Sequence, residues 1–383
     1  MFRNLLSILW REIKRTTRDH SLLLTLLGAP ILYAFMYGSI YMNKVEEKVK
    51  IAVVDLDGSY YSRLLTTELN STSLIHVIPV RNLTEAQEEM KYGNVQGYFF
   101  IDKNFEKQLV ALQQTQVSLA VNASRFLPAS DLTAAVTKVC LTIGGGVRKI
   151  YFNKQGMSDE EAMKNTNPIN LDYRPLFNES LGYGSFILPG LLAIILHQTL
   201  LLGLSCNMAL ERQNKTLGVL NRLSKGNLST ILVGKSVFIF IAFVVFSQFF
   251  MTVNFSFFNM PLRGDYLQVS VLFALLVACI IPMAYFIGSF FKNSLVVVQV
   301  MAFSSYPIFM ITGYSMPFQA LPDWIQAISN LLPITPFLHL YTLMVQGGAS
   351  LNDQPQQIVH MLALGLLYSL LFLWRLKYLI SNE

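Results

Sequence analysis

Charge is scarce in this sequence. Only 14% of its 383 residues are Asp, Glu, Lys or Arg, against about 25% in an average soluble domain. That deficit excludes one large soluble fold. Cysteine is scarcer still, with three. Cys206 and Cys279 fall in apolar runs, so no disulfide can form within the polar stretch that holds Cys140, and that stretch depends on its own core. No Gly-x-x-x-x-Gly-Lys-Ser/Thr phosphate loop and no His-Glu-x-x-His zinc motif occurs. No serine or cysteine nucleophile with base partners stands at membrane depth. These absences argue against an enzyme. A solute moved uphill would need a separate subunit to drive it. The net charge of +6 needs no nucleic acid, because basic segments beside anionic headgroups account for it.

The charges that exist are unevenly placed. Residues 44–180 hold 15 of the 29 Lys/Arg and 16 of the 23 Asp/Glu, an ordinary soluble composition. Elsewhere lie six uncharged runs: Ser21–Met42, Leu181–Leu210, Ser236–Leu262, Tyr266–Phe291, Asn293–Pro322 and Gln354–Trp374. About 20 apolar residues cross a bilayer core as a helix, and all six runs pass. The fold class is therefore an α-helical polytopic membrane protein with six transmembrane helices. It carries a small extracytoplasmic α/β domain between spans one and two. The first span, 21–43, sits behind a 20-residue basic segment and lacks a small-residue cleavage site, so it reads as an uncleaved anchor.

Orientation follows from the positive-inside bias. The leader, the loop 209–235, Lys292 and the tail carry 13 positive charges against four negative. Both termini are expected in the cytoplasm of a plasma (inner) membrane protein, and residues 44–180 outside. In the leader, 1–20, Leu5, Leu6, Ile8, Leu9 and Trp10 alternate with Arg3, Arg11, Lys14 and Arg15 at helical spacing. This predicts an amphipathic helix in the cytoplasmic interface.

Within the outer domain, Val49–Leu56, Leu74–Val80, Gln96–Ile101 and Val117–Asn122 read as strands. Helices alternate with them, and a longer helix is expected over Ala129–Phe152. The pattern implies a small, partly parallel sheet. Gly144-Gly145-Gly146 sits inside that last helix and precedes Val-Arg-Lys, so it is not a phosphate loop. Asp55 and Asp57 beside Gly58 read as turn and cap residues rather than a carboxylate pair.

The six apolar cores hold no Asp, Glu, Lys or Arg, so no ion relay is evident. His197 is near the middle of span two. It reads either as a pathway group or as an interhelical hydrogen-bonding group, and the second is simpler.

Three features resemble a known family, the permease subunits of type-2 ATP-binding-cassette exporters. The first is the loop segment Glu211–Leu220, "ERQNKTLGVL", similar to the family's coupling helix, although Asn214-Lys215 replaces the usual Lys-Gly. The second is Tyr306–Pro336, with Gly313, Pro317, Pro322-Asp-Trp324, then Leu-Pro333 and Thr-Pro336. It resembles the family's signature for short helices that re-enter the outer leaflet before span six, here 314–346. The prolines and Gly313 break the helix as that requires. The third is the architecture, a basic leader and one span, an outer domain, then spans two to six in 181–383, the second opening on "FILPGLL".

The resemblance implies a dimer with a second permease copy or paralogue. An ATP-binding-cassette ATPase subunit would dock beneath and bind ATP and Mg; this chain itself would hold no cofactor. Glu211, Arg212, Lys215, Thr216 and Leu217 are the expected ATPase-coupling residues. Tyr33, Tyr37, His197, Tyr306 and Met310 are candidates for a translocation pathway. Their aromatic and soft apolar surface suits a drug or an amphipathic, lipid-like substrate. Aromatics near span ends, Tyr37 and Tyr41 among them, are equally expected as interface anchors. Whether the outer domain docks a periplasmic adaptor stays open. The competing reading is a membrane-anchored sensor or adaptor without transport, against which six spans count.

Overall fold

The computed structural model describes residues 2–40, 47–169, 171–178, 182–260 and 262–382. Two compact units result: Met1–Lys44 with Pro175–Glu383, and Val45–Arg174 between them. The chain opens with α1 (Phe2–Arg18), whose face Ile8, Glu12 and Thr16 is buried while Trp10 is exposed. The Asp19 carboxylate then accepts from the Ser21 and Leu22 amides at 3.0 and 3.1 Å, satisfying free donors at the helix start. It caps α2 (His20–Leu23), which runs through a π turn at Leu24–Gly28 into α3 (Ala29–Ile40). Together these form one apolar helix, His20–Ile40. Tyr41 lies outside the described residues.

The inserted unit alternates strands and helices: β1 (Val49–Asp55), α4 (Tyr60–Ser71), β2 (Ile75–Pro79), α5 (Leu83–Lys91), β3 (Gly97–Ile101), α6 (Phe105–Val110) and β4 (Val117–Val121). Then follow α7 (Phe126–Lys154) and α8 (Asp159–Thr166). The sheet order is β2-β1-β3-β4, with β1 parallel to β2 and β3, and β4 antiparallel to β3. Helical crossovers make the parallel pairs possible. Both faces of β1 are covered. Ile51 and Val53 pack with Leu65, Leu132 and Val136, while Ala52 and Val54 pack with Ala86. The Asp55 carboxylate accepts from the Asp57 and Gly58 amides, both at 3.0 Å. Asp57 accepts from the Glu106 amide at the start of α6, and the Glu106 carboxylate accepts from the Tyr61 amide at the start of α4. These acids are turn and cap groups. Gly144–Gly146 lies within α7.

The remaining helices are α9 (Tyr183–Gln213), α10 (Leu217–Ser224), α11 (Leu228–Phe249) with a π turn into α12 (Phe255–Phe257), α13 (Tyr266–Gly288) and α14 (Ser294–Ile311). A 3-10 turn at Phe318–Ala320 leads to α15 (Asp323–Ser329), α16 (Ile334–Gly347) and α17 (Pro355–Ser381). Seven helices among the described residues are long and apolar enough to cross a membrane. Six match the uncharged runs, and the seventh is α7, whose Leu132 and Val136 belong to the sheet core. The centre of the membrane unit is α9 packed on α13. Gly288 permits this: a Cβ there would meet the Ser205 carbonyl at 2.3 Å. Small residues let apolar helices approach where water gives no drive between them.

One sequence expectation changes. The segment Glu211–Leu220 is not one helix, because α9 continues to Gln213 and Lys215 adopts a left-handed conformation (φ 53°). The helix after that turn is α10. The stretch 314–346 holds two short helices, α15 of seven residues and α16 of 14, bent by 86° at the break between them.

Candidate functional site

Burying α1 against α11 brings charges together where helices α1, α9 and α11 meet. Gly234 on α11 permits the approach, since a Cβ there would lie 2.8 Å from Ile8. Glu211, in the last turn of α9, is fully buried. Arg11 grips its two oxygens at 2.7 and 2.9 Å, a bidentate fork. Arg15 pairs with it too, and the Thr216 hydroxyl donates to it. From α11, the Lys235 ammonium lies 3.1 Å from Glu211, 2.8 Å from Glu12 and 2.8 Å from the Asn207 amide oxygen. Glu12 also takes Arg11 at 2.7 Å. Burial works against the Arg11 charge, but the Glu211 and Glu12 carboxylates outweigh it and hold its pKa above the ordinary value. Each charge is costly to bury alone and tolerable only in company. The cluster therefore locks three helices that meet just behind α10.

A second junction links α9 to the segment before α15. Pro189 interrupts the start of α9 and cannot donate to the carbonyl four residues earlier. One residue on, the Tyr314 hydroxyl stands between the Gly190 amide, which donates to it at 3.0 Å, and the Phe186 carbonyl, to which it donates. A tyrosine oxygen thus bridges a broken helical hydrogen bond. The ring stacks on Phe186 with centroids 5.4 Å apart. Gly313 makes the turn that delivers it, at φ +80°, where a Cβ would lie 2.8 Å from Phe318.

Residues 20–374 match the ABC-2 family transporter protein family, most of the chain. This chain belongs to that family. It is also similar, at 28% identity over 86 residues, to the linearmycin resistance permease protein LnrN of Bacillus subtilis, covering 22% of each chain. It is 20% identical over 344 residues to ABC transporter G family member 20 of Dictyostelium discoideum, covering 85% of this chain and 44% of that one. The matches thus span less than half the length of these relatives. With seven helices among its described residues long and apolar enough to cross a membrane, this ABC-2 family chain is a multi-pass membrane protein.

The ABC-2 fold redistributes the residues singled out in the sequence. Among the coupling candidates, Glu211 and Leu217 are buried, so neither can offer its side chain to a docking partner. Arg212 donates to the Ser289 and Phe291 carbonyls at 2.6 and 3.2 Å. Thr216 holds Glu211, and Lys215 alone of the five is exposed. Among the pathway candidates, the Tyr33 and Tyr37 rings lie 6.4 Å apart. His197 is fully buried on α9, while Tyr33 on α3 and Tyr306 on α14 are exposed; Tyr37 and Met310 are half-buried. Neither His197 ring nitrogen has a hydrogen-bond partner among the described residues, so the interhelical bond expected there is absent. Its neighbour Gln198 makes one instead, from Nε2 to the Met301 carbonyl at 2.5 Å. In the re-entrant motif, Pro317, Pro322 and Pro333 each stand at the start of a helical segment. Pro336 is buried in the first turn of α16 and Trp324 is exposed.

Sequence reasoning missed Glu12, Asn207 and Lys235. A signal existed for Glu12, the lone acid among the basic residues of an apolar-faced helix. Lys235 looked like a loop charge because α11 begins eight residues before the uncharged run.

Proposed function

We propose that this chain is the membrane permease of an ATP-driven exporter. It works as a dimer, with an identical copy or a paralogue, and moves an amphipathic or lipid-like substrate or drug. Two ATPase subunits bind ATP and Mg beneath it. The leader, α10 and both termini face the cytoplasm of the plasma membrane, and the inserted α/β unit lies outside.

The observation that carries this reading is the ion cluster behind α10. The helix α10 anchors itself through buried Leu217 and Leu220 and leaves Gly218, Val219 and Arg222 exposed, with Lys215 exposed in the turn before it. ATPase closure pushes on that exposed face. Because Glu211 is tied to Arg11, Arg15 and Lys235, the push reaches α1, α9 and α11 together. A pathway at the dimer interface, flanked by Tyr33, Tyr37, Tyr306 and Met310, then opens outward.

The test is co-purification of the permease with its ATPase. Lys215→Glu with Val219→Asp should weaken the complex and abolish stimulated ATP hydrolysis, while membrane insertion is unchanged. Glu211→Gln should keep the complex but reduce stimulation. Full complex formation and full stimulation in the Lys215/Val219 variant would sink the reading.

A further inference from the structure

Helix α7 has two apolar sides. One packs Leu132 and Val136 into the sheet core. On the other, Phe126 and Leu141 are 76% and 72% exposed. Between the β4–α7 turn and α8 this outer side forms an open groove of about 1440 Å³, within the α/β unit alone. Its walls are mostly apolar and hydroxyl-bearing. Its charged lining residues are Lys138, Arg148 and Lys149, with no carboxylate among them.

Those cations are poorly neutralised by the protein. Lys138 makes no ion pair among the described residues. Arg148 lies 5.7 Å from the Phe152 ring, a cation–π contact without opposite charge. Lys149 is paired at 3.4 Å with Asp159, itself largely exposed. The floor is open as well, because a Cβ at Gly144 or Gly146 would meet nothing within 4 Å. Glycine in a helix interior costs about 1 kcal/mol relative to alanine, and packing among the described residues gives no return for it at these two positions.

Charge decides between occupants. A second copy docking by a two-fold axis would set Lys138 and Arg148 near their own counterparts, with no groove carboxylate to separate them. An acidic amphipath meets both properties of the groove at once. We propose that this groove binds one molecule of an amphipath with an apolar chain and an anionic head. The head pairs with Lys138, and Arg148, about 15 Å further along α7, adds attraction at longer range. The chain runs along α7 toward Phe126, about 18 Å from Lys138 at 1.5 Å per residue. The site goes beyond the transport reading and stands on the α/β unit's own geometry, so it holds whether or not the chain exports.

The test uses the full-length chain in phosphatidylcholine nanodiscs, with 11-(dansylamino)undecanoic acid as probe and empty discs as blank. Fluorescence should show saturable binding to the wild type. The paired change Lys138→Gln and Arg148→Gln should weaken it about tenfold, the loss expected for a charge-assisted contact. The probe's methyl ester should bind the wild type about tenfold more weakly for the same reason. Ala134→Trp, which fills the groove from an exposed position, should abolish binding with an unchanged melting temperature. No saturable binding above empty discs, or equal affinities for all variants and for the ester, would overturn the proposal. So would self-association that Ala134→Trp removes, which would assign the face to a second copy. A face that responds only to phosphatidylglycerol in the disc, without binding the probe, would assign it to the bilayer and also overturn the proposal.

Discussion

Glu211 shows how a residue singled out by its sequence context can make contacts that the context does not suggest. Its place in "ERQNKTLGVL" marked it as a coupling residue, and a carboxylate in a charged loop suggests solvent. The structure buries it among Arg11, Arg15 and Lys235. Removing one member of such a buried set leaves the others uncompensated, at a cost of about 3–5 kcal/mol. Glu211→Ala should therefore lower the melting temperature of the purified permease strongly. Lys215→Ala, one turn outward and exposed, should leave it nearly unchanged. Equal melting temperatures for the two variants would show that the cluster contributes nothing to stability. Tyr314 makes the complementary case. Tyr314→Phe keeps the ring on Phe186 but leaves the Gly190 amide without its acceptor, and an unmet buried donor costs about 1–3 kcal/mol. A melting temperature equal to the wild type's would mean that the hydroxyl bridge contributes little.

At the level of elements, close approach and capping decide what forms. Helix α1 reaches α11 only because Gly234 has no side chain. Gly234→Leu should push α1 away and break the Lys235–Glu12 pair. A melting temperature well below the wild type's is expected for the purified variant, while Gly218→Leu, where a Cβ meets nothing within 4 Å, should leave it nearly unchanged. In the α/β unit, Asp57 caps α6. Partial burial opposes its charge, but the Ser59 hydroxyl and the amides of residues 104–106 outweigh that and hold its pKa below the ordinary value. A pKa lower in the folded than in the unfolded state stabilises the fold above the unfolded value, about 4. The contribution is lost as pH falls through the lowered folded value. The melting-temperature gap between wild type and Asp57→Asn should thus be present near neutral pH and narrow as acidification passes the lowered folded value. A gap that persists in acid would rule out the titration of Asp57 as its source. The elements of this unit were largely legible. Asn82 caps α5 and Ser59 caps α4, polar residues standing just ahead of the helical runs. Helix α8 was not read, because it is short and polar, with Ala162 as its one buried residue.

For the whole molecule, the question is which apolar helices cross the membrane. By length and composition α7 passes along with the six uncharged runs, yet Leu132 and Val136 are committed to a sheet core. With Cys140 first replaced by serine, cysteines at Ser124 and Ser158, on either side of α7, should both label with an impermeant thiol reagent from the same side of the membrane. A cysteine at Lys215 should label from the opposite side. Labelling of Ser124 and Ser158 from opposite faces would make α7 a span. Sequence alone determined the number of apolar runs, the alternation of strands and helices in residues 49–122, and the broken stretch after α14. Each depends on local composition, periodicity or proline, which the chain carries without reference to its neighbours. Only the tertiary structure decided that Glu211 faces inward, that Glu12 and Lys235 join it, and that Tyr314 mends the interrupted start of α9. Those partners are 195 to 223 residues apart for Glu12 with Asn207 and Lys235, and no local pattern specifies which distant helix will come close enough to share a charge.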